Sequence, residues 1–497
     1  MRIHLVAVSG TGMGALAGLL RQLGHDVQGS DVRFDPPMGP ALKSWGVRCL
    51  EGFEPAHLDV DAEGHPIDRV IVGNVCRRDN PEAVAAFERN LTVLHIASAL
   101  QELVLDGTSP LVVAGTHGKT TTTALAAYLL DKSGFEPGFL IGGLPRDFDV
   151  SARPTPKLAS KLPLYHPRKR GTPFVIEGDE YDTAFFEKTA KFLHYRAEVG
   201  IITSIEQDHV DIYPNFDAYK RAFAQFVAKI PETGRIVAFA GDPVVVEVVT
   251  QSAKAPVSWY ALNDDNPHGM PVHWLGAPLP SRTVGVEFDL YAGGVMAGRF
   301  RTQLSGKHNL RNCLAALAAT AEGYGAPLEV LRTALGQFGG VCRRQQVIGN
   351  PRGIEVIDDF AHHPTAVRET LAALRERVKA RSNQGRLIAV FEPRSATACR
   401  NLHQSAYESA FASADWSLIA PLGRQNLPPE ERLDIAQLVD ALRRQGQQAD
   451  APESVDAIIS LLSELALPGD CIALLSNGSF GGIHERLLKR LEGPSSE

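Results

Sequence analysis

The sequence LVVAGTHGKTTTT, residues 111–123, decides how the rest of the chain is interpreted. Its apolar start, Leu111–Ala114, predicts a buried parallel strand, and the pattern from Thr121 to Leu130 predicts a helix. In the loop between them, glycines let backbone N–H groups turn towards an anion, and the N-terminus of the helix adds partial positive charge. The order of strand, glycine-rich loop, Lys-Thr pair and helix therefore predicts a phosphate-binding loop.

Two side chains of this loop have distinct predicted roles, because Lys119 would reach the outer phosphates of a nucleotide and the Thr120 hydroxyl would hold Mg²⁺. The spacing is shorter than that of the common G-x-x-x-x-G-K-[ST] pattern, since Val113 stands where that pattern has its first glycine. An ordinary strand-to-helix turn is the alternative, and the matching context on both sides argues against it. The residues predicted to contact the phosphates are Gly115, Thr116, His117, Gly118, Lys119, Thr120 and Thr121.

Length and charge exclude several classes of protein. With 497 residues the chain is too long for one hydrophobic core, so about two to four domains are expected. The net charge of −7 and the lack of a strongly basic domain argue against a nucleic-acid partner. The proline-rich basic segment 157–170 predicts a solvated surface insertion.

Cysteine usage and hydropathy predict a cytoplasmic protein. The six cysteines are scattered without a C-x-x-C pair, which fits reduced thiols better than a disulfide framework or a zinc site. The segment Arg2–Val8 predicts a strand that enters a turn, not a signal peptide, and no apolar run is long enough to span a membrane. The sequence thus indicates no membrane partner, and it contains no evident signal for a protein partner.

Residues 1–106 predict a first α/β domain that carries a nucleotide fingerprint. The strand Ile3–Val8 leads into Gly10-x-Gly12-x-x-Ala15, and Asp31 follows about twenty positions later. This pattern fits NAD or any diphosphate-bearing nucleotide such as a UDP-sugar, and a tight turn without a ligand is the remaining alternative. The residues predicted to bind this nucleotide are Gly10, Gly12, Gly14 and Asp31.

Residues 107–338 predict a second α/β domain around the phosphate loop. Two apolar strands end in acids or histidine, at Glu177-Gly178-Asp179-Glu180 and at Asp208-His209. The carboxyl ends of parallel strands share one edge of a sheet, so these side chains are expected beside Thr120. Oxygen ligands from Thr120 and Glu177 suit Mg²⁺, and His209 suggests a second divalent ion or a phosphate contact.

A later helix in the same domain carries two asparagines on one face. Asn309 and Asn312 follow Gly306-Lys307-His308 and lie one helical turn apart. Their amides could read the edge of a base, or Ser305 or Asn309 could simply cap the helix. The sequence leaves both interpretations open.

Residues 339–497 predict a third α/β domain with polar residues at the ends of its strands. The strands end at Asp359-Phe360-Ala361-His362-His363, at Glu392-Pro393-Arg394-Ser395 and at Ser476-Asn477. A substrate could bind along this edge. For the histidine pair, a nucleotide contact or a structural turn is favoured over a metal site, because no carboxylate stands at ligand spacing.

At these residues the chain resembles the ATP-dependent Mur ligase family over essentially its whole length. The matching segments stand in the family's order and are Gly115–Thr122, Glu177–Asp182, Asp208-His209-x-Asp211, Gly306-x-His308-Asn309-x-x-Asn312, Arg343-Arg344 and Asp359-x-x-His362-His363-Pro364. Within the family, the segments 177–186, 392–395 and 476–484 are similar to the branch that joins a recycled tripeptide to UDP-N-acetylmuramate.

The resemblance implies a fold and an activity. It implies an α/β protein of three domains: a Rossmann-like N-terminal domain for the UDP-sugar, a central P-loop ATPase-type domain for ATP, and a Rossmann-like C-terminal domain for ATP and the peptide. The implied activity is ATP-dependent ligation of L-alanyl-γ-D-glutamyl-meso-diaminopimelate to UDP-N-acetylmuramate through an acyl phosphate. A ligase that adds L-alanine to UDP-N-acetylmuramate, and a nucleotide-gated regulatory ATPase that performs no ligation, are the alternatives.

The resemblance also implies residue roles, with ATP and two Mg²⁺ ions as cofactors. Lys119 and Arg343 would contact the outer phosphates, Thr120 and Glu177 would bind one Mg²⁺, and His209 would bind the second. The catalytic residues would be Lys119, His209 and Arg343. Further ATP contacts are implied for His308, Asn309, Asn312, Asp359 and His362, and peptide contacts for Arg394, Ser395, Ser476 and Asn477.

Two positions depart from the family's pattern. Ser204 stands where many members have asparagine, so no role is assigned to it. Phe223 falls near the position of the modified lysine that other branches use, so a carbamylated lysine is not expected. The general base stays open between His209 and a neighbouring carboxylate.

Overall fold

Parallel β-sheets covered by helices form the framework of the chain in the computed structural model, which describes residues 1–156, 171–210, 212–280, 285–381, 384–424 and 426–493. The predicted basic insertion 157–170 lies outside these residues, as does Asp211 of the Asp208-His209-x-Asp211 motif. None of the helices that the structure describes combines the length and apolar character needed to cross a lipid bilayer.

The N-terminal sheet is parallel throughout and has the strand order β3-β2-β1-β4-β5. This order reverses direction between β1 and β4, and ligands of such sheets bind at the carboxyl ends of the strands beside that reversal. The strands are β1 (Arg2–Val6), β2 (Asp26–Asp31), β3 (Arg48–Glu51), β4 (Arg69–Val72) and β5 (Val93–His95). The helices are α1 (Thr11–Gln22), α2 (Met38–Ser44), α3 (Pro81–Glu88) and α4 (Ile96–Leu103).

A buried polar network, which the sequence did not reveal, links β1 and β2 of this sheet to α3. The carboxylate of Glu82 in α3 is fully buried and lies 3.1 Å from Nε2 of His4 and 2.6 Å from Nδ1 of His57. The Ser30 hydroxyl donates to the same carboxylate. Burial alone would raise the pKa of Glu82, but His4, Ser30 and His57 outweigh it and lower the pKa below the ordinary value of 4.5.

The substitution Glu82→Ala is expected to destabilise the N-terminal domain by about 3–5 kcal/mol at pH 7, because it leaves buried histidine and serine groups unpaired. Since the pKa of Glu82 is lowered on folding, its contribution is present above pH 4.5 and is lost as the pH falls through the folded pKa. Hydrogen exchange of β1 at neutral and acidic pH measures both effects.

The exposed Glu88 of the same helix is the matched control, and Glu88→Ala should change stability by no more than about 0.5 kcal/mol. Equal protection of β1 in wild type and Glu82→Ala would contradict a stabilising role for the network.

The central sheet has the strand order β17-β16-β15-β14-β13-β12-β6-β9-β7-β8, and β10 pairs with β11 in a separate hairpin. It is parallel from β15 to β7 and ends in antiparallel pairs at both sides. The strands are β6 (Ser109–Ala114), β7 (Gly138–Leu140), β8 (Ala152–Arg153), β9 (Pro173–Gly178), β10 (Asp182–Ala184), β11 (Glu187–Ala190), β12 (Val199–Ile202), β13 (Arg235–Phe239), β14 (Val257–Leu262), β15 (Val272–Pro278), β16 (Val286–Ala292) and β17 (Val295–Thr302). The helices are α5 (Lys119–Lys132), α6 (Phe216–Lys229), α7 (Pro243–Ser252), α8 (Lys307–Tyr324) and α9 (Leu328–Gln337).

The predicted strand Leu111–Ala114 is the buried centre of this sheet. Leu111 and Val113 pack into one apolar cluster with α5 and α8, while Val112 and Ala114 pack into the cluster on the opposite face. Strands buried on both faces read as continuous apolar runs, which is why the sequence was decisive here. The hairpin β10–β11 had no comparable signal, whereas strand-like runs in the sequence predicted β16 and β17.

The C-terminal sheet has the strand order β18-β19-β23-β20-β21-β22 and is parallel except for the edge strand β18. Its strands are β18 (Gln346–Gly349), β19 (Glu355–Asp359), β20 (Leu387–Phe391), β21 (Trp416–Ile419), β22 (Gln448–Asp450) and β23 (Cys471–Leu475). Its helices are α10 (Pro364–Arg381), α11 (Gln404–Ala410), α12 (Ile435–Arg444), α13 (Val455–Leu465) and α14 (Ile483–Glu492). Apolar clusters cover both faces, as in other doubly wound sheets.

Candidate active site

A cavity of about 310 Å³ lies between the phosphate loop of the central sheet and the C-terminal sheet. Its walls combine the loop, the start of α8 and the turn that follows β19. Of the residues predicted to bind ATP, those that line it are His117, Gly118, Thr121, His308, Asn309, Asn312 and Asp359. The structure therefore brings together segments that are more than two hundred residues apart in sequence.

The phosphate loop needs glycine at two positions for steric reasons. Gly115 has φ of 139°, and a Cβ there would lie 2.1 Å from Oγ1 of Thr203. Gly118 has φ of 79°, and a Cβ there would lie 2.4 Å from Oδ1 of Asn312. The loop thus runs against β12 on one side and α8 on the other.

Ser204 supports the loop, although the sequence assigned it no role. Its carbonyl accepts from the backbone N–H of Thr116 at 2.9 Å, and its hydroxyl accepts from the N–H of His117 at 3.0 Å. A serine hydroxyl at this position is therefore sufficient to anchor the loop.

Lys119 is buried and paired with a carboxylate. Its Nζ donates to both oxygens of Glu180, at 3.1 and 3.0 Å, and to the carbonyl of Gly115 at 2.7 Å. Burial alone would lower the pKa of Lys119 and raise that of Glu180, but their mutual attraction reverses both shifts. Both groups are thus charged, and both lie beside the loop.

The predicted magnesium ligands Thr120 and Glu177 are adjacent. The Thr120 hydroxyl lies 3.3 Å from Oε2 of Glu177, and Oε1 of Glu177 accepts from the N–H of Gly142 at 2.6 Å. Burial and the nearby Asp179 raise the pKa of Glu177 to about 7. A buried carboxylate next to a hydroxyl and a second acid is an environment that a divalent cation would stabilise.

His209 contacts Glu180, which is the partner of Lys119. Its Nε2 is 3.1 Å from Oε1 of Glu180, and its ring meets the Tyr181 ring edge-on. Burial alone would lower the pKa of His209, but Glu180 and Asp208 outweigh it and raise the pKa. The predicted second-metal residue therefore belongs to the same charged cluster as Lys119.

The two predicted asparagines bond to each other and to the turn before α8. Nδ2 of Asn309 donates to the carbonyl of Ser305 at 2.9 Å, and Nδ2 of Asn312 lies 3.3 Å from Oδ1 of Asn309. The helix-cap alternative is wrong, because Gly306 is the N-cap of α8 and no described side chain caps the helix. The pair lines the cavity, and its contact with a base stays a prediction. Cavity residues that no sequence pattern indicated are Phe239, Tyr260, Arg311 and Gln345.

The Arg343-Arg344 pair is divided between two environments. Nη2 of Arg343 donates to the carbonyls of Ser476 and Gly478, at 2.8 and 2.7 Å, inside the C-terminal domain. Nη2 of Arg344 instead donates to the Thr120 hydroxyl at 3.0 Å. Arg344, not the predicted Arg343, therefore reaches the phosphate loop in this structure.

Asp359 and His362 also differ in their placement. Asp359 accepts from the N–H groups of Gln345 and Ala361, at 2.7 and 2.8 Å, and lines the cavity. His362 turns away, with Nδ1 3.1 Å from the carbonyl of Phe360. The other histidine of the pair, His363, lies near Glu206 of the central domain.

The four predicted peptide-binding residues lie at the carboxyl ends of the adjacent strands β20 and β23. The Ser476 hydroxyl donates to Glu392, whose carboxylate is 3.6 Å from Nη1 of Arg394. Oδ1 of Asn477 is buried without a hydrogen-bond partner within the described residues, while Ser395 accepts from the N–H of Ala398. This edge offers a guanidinium and an unpaired amide oxygen to a ligand.

The N-terminal glycines lie at the carboxyl end of β1, where α1 begins. The carboxylate of Asp31 accepts from the N–H groups of Ser9 and Val32, at 2.8 and 2.7 Å, and so shapes this loop. Gly14 packs against Met38, because a Cβ there would lie 2.2 Å from its sulfur. The nucleotide contact predicted for Gly10, Gly12, Gly14 and Asp31 stays a prediction.

Comparison with known proteins decides the family. Residues 2–107 match the Mur ligase family catalytic domain, residues 113–320 the Mur ligase middle domain, and residues 343–478 the Mur ligase glutamate ligase domain. The Escherichia coli K12 protein named UDP-N-acetylmuramate–L-alanyl-gamma-D-glutamyl-meso-2,6-diaminoheptandioate ligase is 36% identical over 491 residues, which are 99% of this chain and 98% of that protein. The chain belongs to the Mur ligase family.

Other Mur ligases support the same placement. The crystal structure of a murein peptide ligase from Psychrobacter arcticus is 34% identical, with a TM-score of 0.70 over 100% of both chains. A UDP-N-acetylmuramate–L-alanine ligase from Rhizobium etli is 32% identical over 508 residues, which are 100% of this chain and 98% of that protein. The predicted family and the three-domain α/β fold are thus confirmed, and with them an ATP-dependent, Mg²⁺-using ligase.

Proposed function

We propose that this Mur ligase joins the tripeptide L-alanyl-γ-D-glutamyl-meso-diaminopimelate to UDP-N-acetylmuramate, with ATP consumed to ADP and phosphate. The observation that carries the proposal is a cavity bounded by both the phosphate loop and the C-terminal sheet. An enzyme that activates an acid with ATP and then transfers it to an amine must hold the nucleotide, the acid and the amine close together, as a cavity between two domains allows. The acid and the amine are those named for the full-length relative from Escherichia coli.

The chemistry requires activation because a carboxylate does not react with an amine when oxide would have to leave. Transfer of the γ-phosphoryl group to a carboxylate oxygen of UDP-N-acetylmuramate forms an acyl phosphate and releases ADP. The peptide amine then attacks the carbonyl carbon, a C–N bond forms, the C–O bond to phosphate breaks, and a base takes the amine proton. Such phosphoryl transfer depends on positioning and charge neutralisation.

In this proposal each residue of the loop acts by position and charge. Lys119 exchanges part of its contact with Glu180 for the outer phosphates, and Arg344 faces the same phosphates from the C-terminal domain. Mg²⁺ held by Thr120 and Glu177 would neutralise phosphate charge. A second Mg²⁺ position belongs at His209, and the peptide is assigned to the edge formed by Arg394, Ser395, Ser476 and Asn477.

Each of the three domains binds a different part of the substrates in this proposal. Residues 1–106 bind the UDP moiety through Gly10, Gly12, Gly14 and Asp31, residues 107–338 bind ATP, and residues 339–497 complete the ATP site and bind the peptide. The carboxyl-end location of the N-terminal glycines supports the first assignment.

The test is phosphate release from ATP with UDP-N-acetylmuramate and either the tripeptide or L-alanine, with the product identified by mass spectrometry. We expect ligation with the tripeptide and a rate at least about a hundredfold lower with L-alanine, because L-alanine lacks the groups that Arg394 and Asn477 would bind. Preference for L-alanine would replace the proposal with the L-alanine ligase. Equal phosphate release without any amine would favour a regulatory ATPase.

The substitution Arg344→Ala is expected to lower kcat/KM for ATP by about ten- to a hundredfold, since it removes the guanidinium that faces the loop. Arg343→Ala should instead raise KM for the peptide, because Arg343 holds the carbonyls beside Asn477. Steady-state kinetics with each substrate varied in turn separates the two. The reverse pattern would restore the phosphate role to Arg343.

A further inference from the structure

The cluster of His117, Glu206 and His363 lies at the contact between the phosphate loop and the C-terminal domain, and the ligase chemistry above makes no use of it as a unit. Nε2 of His117 is 3.5 Å from Oε2 of Glu206, and Nδ1 of His363 is 3.6 Å from the same oxygen. One ligand atom from each residue lies within 4.8 Å of the other two. The rings of the two histidines are 4.6 Å apart.

We propose that these three side chains form a binding site for a divalent cation of the Zn²⁺ type, separate from the Thr120–Glu177 position. Ligand atoms of a tetrahedral zinc site lie about 3.3–3.5 Å apart when the bonds are about 2.0–2.2 Å long. The two measured separations to Glu206 fit that spacing with little movement. Two imidazoles and one carboxylate with room for a further ligand are a donor set that suits zinc better than magnesium.

Unpaired nitrogen atoms give an independent reason to expect a ligand. Nε2 of His117 and Nε2 of His363 are buried and have no hydrogen-bond partner within the described residues. His363 is only 6% exposed, so water does not readily supply the missing hydrogen bond. Buried polar groups in folded proteins are nearly always satisfied, and a missing ion is one of the recognised explanations when they are not.

Other groups of potential ligands in the described part of the chain are less suitable. In the group His95, Glu187 and His194, both Nε2 atoms already have partners, because that of His95 lies 3.2 Å from Glu187 and that of His194 lies 2.8 Å from the Thr189 hydroxyl. The group Asp61, Glu63 and His65 lies at the surface, where acidic groups are common without an ion. The cluster of His117, Glu206 and His363 combines burial with two imidazole Nε2 atoms that have no hydrogen-bond partner within the described residues.

The three side chains come from two domains, so a bound cation would link those domains. His117 and Glu206 belong to the central domain, while His363 precedes α10 of the C-terminal domain. Thr365 of that domain already donates to Glu206 at 2.6 Å, and Nε2 of His403 lies 3.2 Å from the carbonyl of Gln207. A bound cation would therefore strengthen a contact that forms only when the C-terminal domain is docked on the loop.

The experiment titrates the full-length, nucleotide-free protein with Co²⁺ as a spectroscopic substitute for Zn²⁺, in a His65→Gln background that removes the surface group. We expect one tetrahedral Co²⁺ absorption spectrum per chain, displaced by Zn²⁺ and not by Mg²⁺. His363→Gln should weaken binding at least about tenfold. His363→Cys should restore it with a thiolate charge-transfer band.

Two matched controls separate this site from its neighbours. His403→Gln removes a histidine whose ring is 4.7 Å from His363 but which is outside the ligand set, and Glu177→Gln removes the predicted magnesium ligand. Both should keep the Co²⁺ spectrum. Circular dichroism checks folding, and His117→Gln serves as the second test if His363→Gln is unfolded. Absence of stoichiometric Co²⁺ binding, binding unchanged in His363→Gln, or binding lost in Glu177→Gln would each overturn the proposal.

Discussion

Replacing Lys119 with alanine is expected to lower tripeptide-dependent phosphate release by at least about a thousandfold. The buried ammonium donates to the loop's own carbonyl at Gly115 and is paired with Glu180, so the variant removes a positive charge held inside the loop. The measurement is single-turnover ligation at saturating ATP and UDP-N-acetylmuramate.

Stability has to be measured beside activity in this variant. Removal of one partner from a buried ion pair costs about 3–5 kcal/mol, because Glu180 would keep an uncompensated charge. The double variant Lys119→Ala/Glu180→Gln should recover most of that stability and remain inactive. Lys132→Ala, an exposed change at the other end of α5, should leave the rate unchanged. A folded Lys119→Ala protein with near-normal turnover would disprove the loop assignment.

The second large effect is expected for Glu177→Gln, which should reduce the rate on the order of a hundredfold at limiting Mg²⁺. The carboxylate lies 3.3 Å from the Thr120 hydroxyl, and burial and the nearby Asp179 raise its pKa to about 7. The amide of glutamine keeps the shape and the contact with Gly142 but removes the charge that Mg²⁺ requires.

The Mg²⁺ dependence of the rate is the decisive readout. In Glu177→Gln the midpoint should move to higher Mg²⁺ concentration, and excess Mg²⁺ should recover part of the activity. Glu232→Gln, at an exposed position remote from the loop, should reproduce the wild-type curve. An unchanged midpoint in Glu177→Gln would place the cation elsewhere.

Several elements were predictable because the physical cause is local. The run Leu111–Ala114 is apolar on both faces, and Gly115 and Gly118 adopt positive φ, so sequence and structure agree at the loop. The convergence of Glu177 with Thr120 followed from the rule that parallel strands share a carboxyl edge. Family membership and the three-domain fold are confirmed by the full-length relatives.

Other features had no local signature. Glu82, His4 and His57 form a network between residues up to 78 positions apart, and each alone looks like an ordinary helix or strand residue. The contact of His209 Nε2 with Glu180 had no signal in the sequence, and the metal role predicted for His209 stays a prediction. Spacing along the chain predicts which edge of a sheet a residue occupies, but not which neighbour its side chain selects.

The sequence by itself determined the phosphate loop, the order of the domains and the family, because glycine torsions, apolar periodicity and motif order are properties of short segments. Only the tertiary structure decided that Arg344 and not Arg343 faces Thr120, and that His363 meets His117 and Glu206. Arg343 adopts a positive φ of 60°, and its side chain is held by the carbonyls after β23. Such choices depend on how distant segments pack, and that packing is set by the whole fold.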